Sequence, residues 1–314
     1  MIDRNKKTIL SIDIGGSKLI AGLIDFEGNI VLKEKRLLTV KPTKNYLTKN
    51  IVEMIDSLLD QKNIDIGCAG VAVPGLADKD NGVLVYAPFS GIRDYKIGDI
   101  LTKKLKIPVF IENDANACAH AEKMYGACRG TSDFIWITVS NGVGGALVLD
   151  GEVYEGPNGG AGEIGHINVV KDGYRCGCGK RGCLEAHASG PAIVRRYREK
   201  SHDDSTEITA KEIAELAKGG DMLALNIYKK TGFYLGKAIS YAINLLNPDK
   251  IILGGGVSMD IDLFLPEIKE VVKNTTYRDS NKNLCIEKTA LSYDAALKGA
   301  AAIANLRIGG HQDE

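Results

Sequence analysis

Two stretches of this chain repeat one pattern, and the repeat limits the folds open to it. Residues 8–31, TILSIDIGGSKLIAGLIDFEGNIV, read as a strand, a Gly15-Gly16 turn, a second strand and a further turn at Glu27-Gly28-Asn29. Residues 134–154, FIWITVSNGVGGALVLDGEVY, give a strand, a glycine-rich turn, a strand ending in Asp150 and another glycine turn. Apolar runs bounded by glycine are what strands meeting tight backbone turns look like. The copies stand roughly 130 residues apart, far beyond the ~20–50 of solenoid repeats, so the pattern predicts two related halves and not an array.

Between and after the copies, strands alternate with helices. The pattern predicts helices over 46–59, 97–105 and from Ala115 to about Tyr125, with strands at 66–73 and 108–111. Such alternation means a mainly parallel sheet covered by helices. Further helices are expected near 191–199, 210–217 and 222–246, the last closed by Asn247-Pro248. A strand at 250–253 leads into Gly254-Gly255-Gly256, and an Ala-rich helix covers 295–305; the tail 309–314 reads as disordered.

At 314 residues the chain has room for two domains, each with a sizeable core. Its 40 basic side chains balance 40 acidic ones, which argues against a nucleic-acid or anionic-membrane partner bound through bulk charge. No apolar run reaches the roughly 18 residues of a membrane span, and MIDRNKK passes into a strand without a signal-peptide core. A cytoplasmic location follows as the expectation, and there a cysteine cluster means metal or catalysis more often than disulfides.

The cluster is His166 followed by Cys176-Gly-Cys178-Gly-Lys-Arg-Gly-Cys183. Three sulfurs and one nitrogen form the tetrahedral set that Zn²⁺ accepts, and a closed site of four ligands is structural. A redox dithiol or an iron–sulfur site is the alternative, disfavoured because C-x-C is not C-x-x-C and no fourth thiol lies nearby. Cys68, Cys118, Cys128 and Cys285 sit in apolar or helical contexts and read as core residues.

Three further motifs carry chemistry. In LSIDIGGSK, Asp13 precedes Gly15, Gly16, Ser17 and Lys18. Glycine-exposed N–H groups with a hydroxyl and a lysine suit a polyphosphate, and Asp13 suits Mg²⁺ held through water, although a plain hairpin reads the same way. Recurrence at 140–145 strengthens the phosphate reading, since two such hairpins can hold one phosphate chain. In Glu112-Asn113-Asp114-Ala115-Asn116, between a strand and a helix, Asp114 is either an N-cap or a carboxylate kept ionised as a proton acceptor. Glu163 and Glu185 flank the cysteine loop and are either solvated charges or acceptors for polyol hydroxyls.

Together, Asp13-Ile-Gly-Gly-Ser-Lys18, Glu112-Asn-Asp-Ala-Asn116, and Glu163-Ile-Gly-His166 with Cys176-Gly-Cys-Gly-Lys-Arg-Gly-Cys-Leu-Glu185 resemble the ROK family of sugar kinases, from about Thr8 to Ala304. That family is similar to actin and heat-shock proteins. The resemblance implies an α/β, two-domain duplicated actin-like (ribonuclease H-like) fold with central mixed sheets flanked by helices. Its smaller domain would span 1–115 plus 295–314, and its larger one 116–294 with the zinc-binding loop.

By the same resemblance Asp114 would be the general base for the 6-hydroxyl of a hexose, with Asn113 on a neighbouring hydroxyl. Glu163, His166 and Glu185 would contact the sugar, and His166 would join Cys176, Cys178 and Cys183 on zinc. Gly15, Gly16, Ser17, Lys18, Asn141, Gly142, Gly144 and Gly145 would hold the ATP phosphates. Gly254, Gly255 and Gly256 would flank adenosine, and Asp13 would lie near Mg²⁺. The implied protein is a homodimer acting on a hexose or amino-hexose. Repressors of the same family carry a DNA-binding module ahead of the first phosphate motif, where only MIDRNKK stands here.

Two departures bear on the substrate. Glucose kinases of the family usually show Ala-Pro-Asn-Leu and a Trp where this chain reads Ala87-Pro88-Phe89-Ser90-Gly91-Ile92, so Phe89 replaces a hydroxyl-binding Asn. Ser140-Asn141 stands where Gly-Thr is usual. An N-acetylhexosamine is therefore the alternative acceptor.

Overall fold

The computed structural model describes residues 7–38, 42–61, 64–201, 207–277 and 282–310. They divide into two units: one runs to Gly130 and takes in Gly156–Gly160 and the segment from Asp294, the other comprises Thr131–Glu155 and Ala161–Tyr293.

The first unit opens with β1 (Lys7–Ile14), β2 (Lys18–Ile24) and β3 (Ile30–Leu37), followed by α1 (Lys44–Asp60) and β4 (Asp65–Val73). Three short strands, β5 (Leu76–Asp78), β6 (Val83–Ala87) and β7 (Ile92–Tyr95), make a small antiparallel sheet. Then come α2 (Ile97–Leu105), β8 (Val109–Asn113) and α3 (Asp114–Tyr125). The main sheet has the order β3-β2-β1-β4-β8. Its β1–β2 and β2–β3 pairs are antiparallel, and β1–β4 and β4–β8 parallel.

Burial explains these strand positions. From Ile9 to Ile14 every residue of β1 is buried, the unbroken run of a central strand covered on both faces. By contrast β3 alternates half-buried with exposed residues and carries Lys33, Glu34, Lys35 and Arg36, as an edge strand does. Leu47, Ile51, Met54, Ile55 and Leu58 recur at helical spacing on the buried face of α1, which Thr43 caps by accepting the Tyr46 N–H.

The second unit contains β9 (Phe134–Val139), β10 (Val143–Leu149), β11 (Glu152–Tyr154), α4 (Glu185–Ala188), α5 (Gly190–Ser201), α6 (Ala210–Lys218) and α7 (Met222–Leu246). It continues with β12 (Lys250–Gly254), α8 (Leu265–Thr275) and β13 (Cys285–Lys288), after which α9 (Ala295–Gly310) returns to the first unit. Its sheet runs β11-β10-β9-β12-β13, with two antiparallel pairs followed by two parallel ones. Strand order and direction match the first sheet position for position, so the repeat read from sequence is a duplicated sheet. The Gly15-Gly16 turn joins β1 to β2, and Ser140-Asn141-Gly142 joins β9 to β10, equivalent corners of the two copies.

The chain passes from the first unit to the second after Gly130, where the sequence reading drew the boundary at 115/116. The reason is α3: an added Cβ on Gly299 of α9 would lie 2.5 Å from the Ala117 backbone, so α3 and α9 pack as one layer. The same helix presses on the sheet so closely that a Cβ on Gly70 would meet the Ala300 carbonyl. Gly309 and Gly310, expected in the tail, belong to α9, while 311–314 lie outside the described residues. Among the described residues no helix is long and apolar enough to cross a membrane.

Candidate functional site

In the first unit the motifs meet at one edge of the main sheet. Register pairs Asp13 with Ala72 and Ala72 with Glu112, so Asp13 and Asn113-Asp114 stand at the C-terminal ends of β1 and β8, one strand apart. The carboxyl ends of parallel strands are where open α/β sheets bind ligands. Burial pushes the Cys118 thiol up, and the negative charges of Asp114, Asp13 and Glu122 push it further, so both aspartates lie near that thiol. Asp13 is 6 % exposed, and burial pushes its carboxyl up to about 6 against the downward pull of Lys18. A buried carboxylate held in this way is stabilised by a cation, which is the chemistry a Mg²⁺-associated aspartate needs.

Asn113 is the cap of α3. Its Oδ1 accepts the N–H groups of Ala115 and Asn116 at 2.9 and 3.1 Å, and its Nδ2 donates to the Gly75 carbonyl at 2.9 Å. Asp114 is thereby the first helical residue and not the N-cap, its Oδ1 accepting the Ala115 N–H. The positive end of the helix favours its negative charge. The Gly15-Gly16-Ser17-Lys18 turn is a tight hairpin closed by the Gly15 N–H on the Lys18 carbonyl, leaving Gly16 and Ser17 exposed. Phe89, from the loop between β6 and β7, lies against Gly16, its ring carbons 3.6 Å from where a Cβ would be.

In the second unit His166, Cys176, Cys178 and Cys183 converge, with all four ligand atoms within 4.8 Å of one another. Cys178 and Cys183 Sγ are 3.7 Å apart, as are Cys176 Sγ and His166 Nδ1. A tetrahedron with bonds of about 2.3 Å has edges of about 3.8 Å, so the donor set fits zinc. Isolated bridges pair Asn168 with Cys183 and Arg175 with Arg181, and Lys237 of α7 holds the Val169 carbonyl at 2.7 Å, which fixes the loop from behind. The other ring nitrogen of His166, Nε2, stands 3.8 Å from Glu163 Oε2.

The loop is packed onto the β9–β10 hairpin. A Cβ on Gly165 would strike the Val143 carbonyl, and one on Gly162 would lie 2.6 Å from the Gly145 carbonyl, so the segment carrying Glu163 and His166 rests directly on β10. Glu185, at the start of α4, accepts the Val143 N–H on Oε2 at 3.1 Å and the Cys176 thiol on Oε1 at 3.5 Å. Gly254–Gly256 turn beside the same hairpin. Gly255 has φ +86°, and a Cβ there would lie 2.7 Å from the Thr138 hydroxyl, while one on Gly256 would lie 3.9 Å from the Ser140 hydroxyl. A cleft lined by Asn141, Gly190, Val194, Arg195, Arg198 and Thr209 opens next to it.

The family's sequence profile matches residues 9–307. The chain belongs to the ROK family. Among ROK relatives, a glucokinase of Halalkalibacterium halodurans is 35% identical over 83% of this chain and 84% of its own length. A xylose repressor of Bacillus subtilis is 32% identical over 96% of this chain and 79% of the repressor. The crystal structure of a ROK glucokinase from Streptomyces griseus, with glucose and AMPPNP, superposes with a TM-score of 0.86 at 30% identity, covering 95% of this chain and 99% of that one. The duplicated α/β architecture is thus that of the actin-like ROK sugar kinases.

Each unit assembles its own share of the residues singled out in the sequence: Asp13, Gly15, Gly16, Ser17, Lys18, Asn113 and Asp114 in the first, and Asn141, Gly142, Gly144, Gly145, Glu163, His166, the three cysteines, Glu185 and Gly254–Gly256 in the second. Sequence reasoning missed the Gly75 carbonyl that holds Asn113 and the Val143 N–H that holds Glu185, because backbone groups carry no residue-type signal. It also missed His187, whose Nε2 accepts the Tyr174 N–H beneath the cysteine loop and whose burial lowers it to about 4.

Proposed function

We propose that this chain is an ATP-dependent sugar kinase that phosphorylates a hexose at its 6-hydroxyl. The observation that carries the reading is the shared sheet edge bearing Asp13, the Gly15–Lys18 turn and the helix-capped Asp114. In this reading Asp114 takes the proton of the attacking hydroxyl, and Asn113, with one amide hydrogen given to Gly75, offers its second to a neighbouring sugar hydroxyl. Glu163, His166 Nε2 and Glu185 accept or donate to the remaining hydroxyls. By the family resemblance Ser17, Lys18 and the N–H groups of the Gly15-Gly16 turn in the first unit would meet phosphates of ATP, as would those of residues 140–145 in the second, whose cleft beside Asn141 and the Gly254–Gly256 turn would take the nucleoside.

Transfer of a γ-phosphoryl group needs little covalent help and depends on positioning and charge neutralisation. Asp13 would hold Mg²⁺, which supplies charge neutralisation on the transferring phosphoryl group. His166, Cys176, Cys178 and Cys183 would hold a structural Zn²⁺ that fixes the loop bearing the sugar contacts. Intact Asp114 and Lys18 support catalysis over a purely regulatory role. The reading is completed by a cytoplasmic homodimer without nucleic-acid or membrane partners.

An N-acetylhexosamine, N-acetylmannosamine or N-acetylglucosamine, is the alternative acceptor, favoured by Phe89. A half-buried ring against Gly16 offers an apolar surface where the family's glucose kinases offer an amide. Incubation with MgATP and each sugar, followed by ³¹P NMR of the product, tests the reading. A 6-phosphate is expected, and acceptance of the 6-deoxy analogue at an equal rate would contradict it.

A further inference from the structure

Val143 stands in the middle of the β9–β10 hairpin and is gripped from two sides by residues next to the metal-ligand set. Gly165, which precedes His166, lies against its carbonyl, and Glu185, two residues beyond Cys183, accepts its N–H at 3.1 Å. The other oxygen of Glu185 lies 3.5 Å from Cys176 Sγ, a thiol contact that lapses once Cys176 is deprotonated on a metal, so the Val143 N–H is the link that persists. A side chain on Gly142 would bring its Cβ to 2.5 Å from Glu185 Oε2, so glycine there is required by the carboxylate's approach.

We infer that Glu185 is a positioning residue that ties the four-ligand loop to the phosphate hairpin, so that the state of the loop is felt in nucleotide affinity as well as in sugar binding. The inference rests on the kinase reading, in which residues 140–145 bind ATP phosphates. The physical reason is local. The Val143 N–H fixes the plane of the hairpin's peptide groups, and a charged acceptor holds an N–H more firmly than a neutral one. With the ligands drawn together, the backbone from Cys176 to Glu185 has one arrangement and the carboxylate one position. With the ligands loose, the acceptor moves and the hairpin N–H groups lose their common direction. Leu184, between Cys183 and Glu185, is fully buried and its N–H bonds the Ile167 carbonyl, so displacement of the cysteine reaches the glutamate through a stiff segment.

The test is ADP binding by calorimetry, with no sugar and no turnover, in the metal-bound protein and in E185A, E185Q, C178S and the C178S/E185A double variant. Cys178 is exposed, so its replacement weakens the metal without opening a cavity, and bound zinc is counted by mass spectrometry. We expect ADP to bind about ten-fold more weakly to E185A, as for loss of one charge-assisted hydrogen bond. E185Q, which keeps a neutral acceptor for Val143, should lose less. C178S should lose affinity in step with its zinc, and the double variant should be no weaker than E185A, since both changes act through one link. Wild-type affinity in folded E185A, or losses that multiply in the double variant, would overturn the coupling. If the wild-type protein bound no ADP, the nucleotide reading itself would fail and the coupling with it.

Discussion

The Asn113 amide Nδ2 donates to the Gly75 carbonyl at 2.9 Å while its Oδ1 caps α3. One side chain therefore ties the end of β8, the start of α3 and the loop after β4, and it sets Asp114 at the first helical position. Asn113→Ala removes the cap and orphans the Gly75 carbonyl, and is expected to cost about 1–2 kcal/mol of stability in urea unfolding. Its kcat should fall further than that loss explains, because the carboxylate next to it is no longer held. A stability loss with unchanged kcat would confine Asn113 to a structural role.

Asp13 gives a pH signature. Its folded carboxyl lies at about 6 against 3.8 in the unfolded chain, because burial outweighs Lys18. Between those values the folded chain keeps a proton the unfolded chain has lost, so stability falls as pH rises from about 4 to about 6 and stays lowered above. Asp13→Asn has no charge to bury. Without divalent cations it should exceed wild type by about 2–3 kcal/mol at pH 7 and match it near pH 4, while losing phosphoryl transfer. Urea unfolding at the two pH values checks this, and an equal difference at both would contradict it.

Phe89 is expected to set acceptor preference. Phe89→Asn replaces a ring lying on Gly16 with an amide that can meet a hydroxyl. It should raise kcat/KM for glucose relative to N-acetylmannosamine by about ten-fold or more, the scale of one hydrogen bond in a polar site. A change in both sugars by the same factor would mean that Phe89 acts on the turn and not on the acceptor.

The cysteine loop is expected to carry about one zinc per chain. Removing it with a chelator should lower the thermal midpoint, and returning zinc should restore it. Folded protein that yields no zinc by mass spectrometry would sink the assignment of His166, Cys176, Cys178 and Cys183.

Much of this was legible before any coordinates. Glycine turns between apolar runs announced the duplicated sheets, and helix α7 and the strand β12 stand where periodicity puts them, because long apolar patterns and Gly or Asn-Pro stops are strong local signals. His166, Cys176, Cys178 and Cys183 are close in sequence, and their convergence is therefore visible as a motif. The α3 boundary was not legible, because its alliance with α9 depends on contact between segments some 180 residues apart, which no local pattern reports. Helix α8 was missed although Pro266 at its first turn and Ile268, Val271 and Val272 on one face mark it. Likewise, Glu185 reads in sequence as either a solvated charge or an acceptor for sugar hydroxyls beside the cysteine loop. Only the fold reveals that one of its oxygens is occupied by Val143.

The most direct measurement is a coupled assay of ATP consumption over glucose, mannose, allose, glucosamine, N-acetylglucosamine, N-acetylmannosamine and fructose, with Asp114→Asn run beside wild type. At least one of these sugars should drive ADP release, and the variant should be slower on it by about 10²–10⁴, the contribution of a positioned proton acceptor, with unchanged ADP affinity. Wild-type rates equal to those of Asp114→Asn on every sugar would contradict the kinase reading.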